Sequence, residues 1–99
     1  MDGKMTTGEY MASLLTPELI KALEGVRAWA ETSDHVNAEA ALIYVDHVPQ
    51  AMIEAESLGR KAENALSMQL NYVLANLQYW RGAEAKHVKG VLKAHTNQG

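Results

Sequence analysis

The sequence contains no cysteine and no phenylalanine, and it has only two prolines among 99 residues. Without cysteine, the chain forms no disulfide and offers no thiolate ligand to a metal. No apolar run approaches the ~20 residues that span a bilayer, and residues 1–10 lack the apolar stretch of a signal peptide. We therefore expect a cytoplasmic protein without a membrane partner.

The residues that are present favour helices. Apolar residues make up 47% of the chain, which is too many for a disordered protein. Alanine is abundant and there are five methionines, and both residue types favour helix. We predict an all-α fold, a small bundle of three to four helices within one domain over 6–95. Residues 1–5 are expected to form a disordered leader, and residues 96–99 a flexible tail.

Two helix starts are visible near the N-terminus. A capping box that begins at Thr6 predicts a short helix over 7–15. Thr16 then offers an N-cap hydroxyl, and Pro17 follows at the first helical position, where its missing amide proton costs nothing. Apolar residues recur at helical spacing after it. The pattern predicts a helix over 17–31.

The middle of the chain is apolar on nearly every side. A second group of capping residues, 32–34, is expected to open a helix whose segment 40–45 lies at the centre of the core. His47 falls on what we take to be the apolar face, which is typical of a core or interface histidine. Pro49 lacks an amide proton, so the chain either kinks there or ends one helix and begins another. The pattern continues to Gly59.

From Arg60 to about Ala94 the sequence has no proline, which predicts one long helix. Apolar residues within it keep a heptad spacing typical of a coiled coil. A helix of about 35 residues would measure ~53 Å, whereas a domain of this size is only ~30–35 Å wide. Either the helix breaks near Gly82, or it protrudes and pairs in a homodimer. We call the apolar set the heptad seam: Leu66, Leu70, Val73, Leu77 and Trp80.

Two tyrosines flank the heptad seam. Tyr72 and Tyr79 are seven residues apart and lie among asparagine and glutamine side chains. Aromatic residues beside amides are typical of protein interfaces, and equally of the wet edge of a core. With the heptad seam, these two residues form the predicted interface, in which Trp80 and Tyr79 would contribute most.

Charge is divided unevenly along the chain. Residues 1–58 carry ten acidic and three basic side chains, whereas residues 59–99 carry two acidic and six basic ones. The two halves either neutralise one another within the fold or present charged faces to a partner. The basic residues of the C-terminal segment could contact nucleic acid, or complement a helix dipole. They are Arg81, Lys86, Lys89 and Lys93.

Signals of catalysis are lacking. Glu84 and His87 form one E-x-x-H pair, whereas di-metal bundles need two such pairs and further glutamates. No glycine-rich phosphate loop or nucleophile–base pattern is present. We expect no cofactor and no metal, and we predict a non-enzymatic regulatory protein that binds a protein partner or itself. The alternatives are a nucleic-acid-associated regulator and a small metal- or ligand-binding bundle.

Overall fold

The computed structural model of the chain describes residues 13–96, and no β-strand is found among them. The predicted all-α bundle is confirmed. The leader over 1–5, the capping box at Thr6, most of the short helix over 7–15 and the tail beyond Thr96 lie outside the described residues. The four helices that lie wholly within the described residues are α1 (Pro17–Thr32), α2 (Val36–Ser57), α3 (Ala62–Ala75) and α4 (Ala83–Ala94).

The helices form an up-down-up-down bundle. Each helix packs on the one before it, and α4 returns to pack on α1, which closes the ring around a single core. The molecule measures 49 × 25 × 23 Å. None of the four helices is long and apolar enough to cross a membrane.

The start of α1 is the predicted one. Pro17 stands in the first turn, and the Thr16 hydroxyl accepts a hydrogen bond from the Leu19 amide at 3.2 Å. The expected start of the next helix at 32–34 is wrong by a few residues. His35 is the N-cap of α2, and its Nδ1 accepts from the following helical turn.

Helix α2 runs through Pro49 without a break. The face that contains His47, which we expected to be buried, is the solvent face: Val36 and Ile43 share it and are 76% and 60% exposed, and His47 is also exposed. The neighbouring face, which contacts α1 and α3, is buried instead. Since this helix is apolar nearly all round, its pattern alone could not identify the inner face. The buried residues include Ala41, Val45, Val48 and Met52.

A glycine turn joins α2 to α3. Gly59 has a φ of +75°, and its amide donates to the Glu56 carbonyl at 3.1 Å. The Arg60 amide donates to the Ala55 carbonyl at 2.7 Å, which completes a Schellman motif. The Glu56 carboxylate then accepts from the Ala62 amide at 3.2 Å, at the positive end of α3. The turn therefore fixes α2 and α3 as an antiparallel hairpin.

The predicted long helix from Arg60 is wrong, because α3 ends at Ala75 and residues 76–82 form a loop. Side-chain amides satisfy the carbonyls that the ending helix leaves open. Asn76 Nδ2 donates to the Tyr72 carbonyl at 2.9 Å, and Gln78 Nε2 donates to the Ala75 carbonyl at 3.1 Å. The helix therefore ends before Gly82, whereas we expected a break near Gly82 itself.

The heptad seam lies inside the bundle. All five of its residues are at most 7% exposed, and the last two belong to the 76–82 loop. Trp80 stacks on Trp29 of α1 with ring centroids 5.3 Å apart. The apolar spacing therefore continues from helix into loop because both bury residues in the same core. A coiled coil along this stretch is not formed.

Candidate functional site

An apolar groove of about 520 Å³ lies on the outer surface between α2 and α3. We name it the α2/α3 groove. It begins beside the Gly59 turn and runs along the C-terminal half of α2, and its volume is in the range of ligand and peptide sites. Its main lining residues are Ala51, Ala55 and Leu58 from α2 and its C-terminal end, and Ala65, Met68 and Gln69 from α3.

Large apolar side chains stand at the edges of this groove, and small ones form its floor. Leu58 is 68% exposed and Met68 is 53% exposed. Ile43 continues the apolar surface beyond Gln69, in a shallower part of the same groove. The floor between these edges is largely alanine, so another backbone could approach closely.

Gln69 separates the two parts of the α2/α3 groove and is 9% exposed. Its side-chain oxygen Oε1 is buried without a hydrogen-bond partner. A buried amide oxygen without a hydrogen-bond partner raises the free energy of the folded state, so Gln69 destabilises the isolated protein. The position could be read from the sequence, since Gln69 continues the buried spacing of Ala62, Leu66 and Val73.

Charges are distributed unevenly along the α2/α3 groove. Glu54 and His47 lie on its α2 side, with Oε1 of the glutamate 3.9 Å from Nε2 of the histidine. Arg60 and Lys61 lie at the end formed by the Gly59 turn. Asp46, which is paired with Arg27, lines the shallower part of the groove, so the α2 edge carries two carboxylates and one end carries two cations.

The residues predicted as an interface divide into two groups. The heptad seam is enclosed by the other helices, so it offers no outer surface to a second chain. Tyr72 and Tyr79 are exposed. Tyr72 packs on Tyr44, which lines the shallow part of the α2/α3 groove, whereas Tyr79 stacks on His35 in the loop that follows the C-terminal end of α3. Sequence reasoning missed Ile43, Leu58 and Met68 because their exposure depends on where the neighbouring helices lie.

The predicted basic residues come together along α4. Lys86, Lys89 and Lys93 are spaced by three and four positions, which places them on one face of the helix, and Arg81 precedes that face. Lys89 Nζ donates to the Trp80 carbonyl at 2.7 Å. Burial lowers the pKa of Lys89, and the positive charges of Arg81 and Lys93 lower it further.

Two hollows follow one another along the face of α4 that carries these cations, and we name the pair the α3/α4 groove. The first is lined by Gln78, Arg81, Lys86 and Lys89, and the second lies between Asn71 of α3 and Lys93 of α4. Gly90 leaves a gap in the α4 wall, because no heavy atom lies within 4 Å of where its Cβ would be. The groove is open to solvent along its length.

Two further features were singled out from the sequence: the E-x-x-H pair and the unequal charge of the two halves of the chain. Glu84 and His87 lie on α4 with no third ligand, and residues 13–96 contain no group of three potential metal-binding side chains. Arg27 and Asp46 form an ion pair, and Nε2 of His47 lies 3.9 Å from Oε1 of Glu54; all four residues belong to the acidic half. Neither of these pairs neutralises the basic half.

No protein-family model, curated protein or solved structure matches this chain.

Proposed function

We propose that the protein is a non-enzymatic, regulatory protein-binding domain that acts in the cytoplasm and holds an amphipathic helix of a partner in the α2/α3 groove. The observation that carries this proposal is an alanine-floored groove whose edges expose Leu58 and Met68. Helix-in-groove binding uses this arrangement, in which apolar anchors of one helix enter the space between two others.

The dimensions of the groove suit such a ligand. From Ile43 to Leu58 the groove side of α2 covers 15 residue steps, or about 23 Å. A partner helix of about four turns would cover this length. Helix axes pack about 8–10 Å apart, and alanines permit the closer distances. Met68 is flexible enough to adapt to the partner's side chains.

The charges give the partner a direction. Arg60 and Lys61 lie at one end of the groove, where they would attract the negative C-terminal end of a helix dipole. Glu54 on the α2 edge would favour lysine or arginine on the facing edge of the partner. The expected ligand is therefore a basic amphipathic helix whose C-terminus lies beside the Gly59 turn.

Self-association through the heptad seam does not fit this arrangement. Those side chains fill the core, so a coiled coil along them would require the bundle to open. Binding through the α2/α3 groove leaves the core closed. We therefore place the partner on the outer surface and leave the oligomeric state to measurement.

Methyl NMR tests the groove directly, because Met68 lies in it and Met52 lies in the core. The probe is a synthetic peptide of about 16 residues with a leucine stripe flanked by lysines, long enough for about four helical turns. We expect the Met68 methyl signal to shift on titration while the Met52 signal stays in place. Absence of any shift at millimolar peptide, or equal shifts at both methyls, would refute the proposal.

A matched pair of substitutions gives the control. Ile43→Asp places a charge in the groove, whereas Ile53→Asp places the same charge on another exposed face of α2. We expect the peptide to bind about tenfold more weakly to the first variant, a change of about 1.4 kcal/mol, and unchanged to the second. Equal weakening in both variants would show that the groove is not the site.

A further inference from the structure

The α3/α4 groove is strongly cationic along one wall. Its lining residues include all four cations of the C-terminal segment, and no carboxylate is among the described residues that line it. Burial lowers the pKa of Lys89, and the nearby positive charges of Arg81 and Lys93 lower it further. A bound anion would relieve the repulsion between these charges.

The opposite wall carries amides. Asn71 is exposed on α3, and Gln78 follows in the 76–82 loop. Amide groups donate to phosphate oxygens and also pair with the edges of bases. The missing side chain of Gly90 leaves space between the two walls. Cations on one side and amides on the other suit an extended chain of phosphates.

We propose that the α3/α4 groove binds the backbone of single-stranded nucleic acid, as a site separate from the α2/α3 groove. A single strand suits this surface better than a duplex, because its unpaired bases leave their edges open to the amides of Asn71 and Gln78. Lys86 and Lys93 are about 10.5 Å apart along α4, so they contact different phosphates of the same strand.

An anionic membrane is a less suitable partner for this surface. Helices that lie in a membrane interface insert large apolar side chains below their basic residues. The large apolar residues of α4, including Val88, Val91 and Leu92, are buried against the other helices. The exposed side of the helix carries basic, small and polar residues, so it could attract lipid headgroups but could not insert.

Fluorescence anisotropy with a labelled deoxythymidine oligonucleotide of about 20 nucleotides tests this site, since this length exceeds the ~4–16 nucleotides that a single-strand-binding OB fold covers. Because each phosphate contact contributes a slope of about −0.7 for a single strand, three to four contacts predict about −2 to −3 for log K against log salt. We expect a slope in this range and weaker binding of a duplex of the same length. Binding that is insensitive to salt, or equally tight duplex binding, would overturn the proposal.

The variant to compare is Arg81→Glu/Lys86→Glu/Lys93→Glu, which leaves the Lys89 contact to Trp80 in place. Its control is Lys21→Glu/Arg60→Glu/Lys61→Glu, which changes the net charge equally at exposed positions outside the groove. We expect at least about a tenfold loss of affinity in the first and less than about threefold in the second, since only the first removes phosphate contacts. Equal losses would show that net charge alone drives binding.

Two further outcomes separate this site from its rivals. If anionic vesicles or an acidic polypeptide compete for the groove as well as the unlabelled oligonucleotide does, the nucleic-acid proposal fails. Binding of the leucine–lysine peptide should be unaffected by the Arg81→Glu/Lys86→Glu/Lys93→Glu changes. Failure of one proposal therefore leaves the other open to its own test.

Discussion

Gln69 shows how a single residue can oppose the stability of its own fold. Its side chain is almost fully buried, yet its Oε1 has no hydrogen-bond partner. An unpaired buried acceptor costs about 1–3 kcal/mol, and an apolar residue of similar length would avoid that cost. A binding partner that donates an N–H group to Oε1 of Gln69 would remove this cost, which would account for a polar residue at this position.

Replacing this glutamine by methionine should stabilise the isolated protein. We expect Gln69→Met to raise the free energy of unfolding by about 1 kcal/mol, because it removes the unpaired oxygen without changing the length of the side chain. Urea denaturation followed by circular dichroism measures the change. The control is Gln78→Met, which removes the amide that donates to the Ala75 carbonyl and should not stabilise.

A loss of stability in Gln69→Met would contradict this interpretation. It would mean that the amide forms an essential contact and that the groove floor tolerates no apolar replacement. Similar gains in both variants would instead indicate a general effect of replacing an amide by an apolar side chain.

The residues of the heptad seam were predicted to contact a second chain, whereas in the structure they pack against other helices of the same chain. Leu66, Leu70 and Val73 form the stripe that any amphipathic bundle helix buries. Over two or three turns this stripe has the same spacing as the contact face of a coiled coil. The sequence therefore predicts which side chains are buried, but not whether a second chain or the same chain covers them.

At the scale of elements, local chemistry made some boundaries predictable and others not. Thr16 and Pro17 mark the start of α1 because their effect depends only on neighbouring backbone. The end of α3 at Ala75 was missed, because Leu77 and Trp80 extend the apolar pattern while side-chain amides take over the role of backbone donors. An asparagine or glutamine can lie within a helix or cap its end, and the packing of the whole fold decides which of the two positions it takes.

Two glycines should respond to alanine in opposite directions. Gly59 has a φ of +75°, which alanine adopts at a cost, so Gly59→Ala should destabilise the protein by about 1–2 kcal/mol. Gly90 lies inside α4 with open space around it, so Gly90→Ala should stabilise by about 0.5–1 kcal/mol through helix propensity. Thermal and urea unfolding of both variants give the two signs.

The same two variants test the position of the helices. Destabilisation by Gly90→Ala would mean that the added methyl group clashes with a neighbouring atom. The structure has none within 4 Å of that position. If Gly59→Ala had no effect, the left-handed turn between α2 and α3 would not be required for the hairpin.

For the whole molecule, the bundle class could be predicted but the binding surfaces could be predicted only in part. The basic stripe depends on one helix, so the spacing of Lys86, Lys89 and Lys93 was enough to suggest it. The α2/α3 groove depends on how two helices pack, and Leu58 and Met68 meet there only after Gly59 reverses the chain. Single-sequence patterns carry little information on such pairings.

The mass in solution distinguishes the closed bundle from a seam-mediated dimer. Because the heptad seam is already covered, we expect sedimentation equilibrium at micromolar concentration to give a mass near 10.9 kDa. Trp80→Ala should then destabilise the monomer by about 3–5 kcal/mol rather than dissociate an assembly. A stable dimer that dissociates in Trp80→Ala would support the heptad seam as an interface after all.

The hydrogen bond between Thr16 and His95 also bears on the order of folding. The two side chains lie 3.2 Å apart although 79 positions separate them in the chain. The α2–α3 hairpin closes across a four-residue connection, whereas contact between α1 and α4 must wait until a far larger loop closes. The hairpin that bears the apolar groove would thus form early, and the helix that bears the lysines would join last. Nucleic acid bound to α4 would slow the separation of α4 from α1. The ligand would therefore lower the rate at which the bundle unfolds.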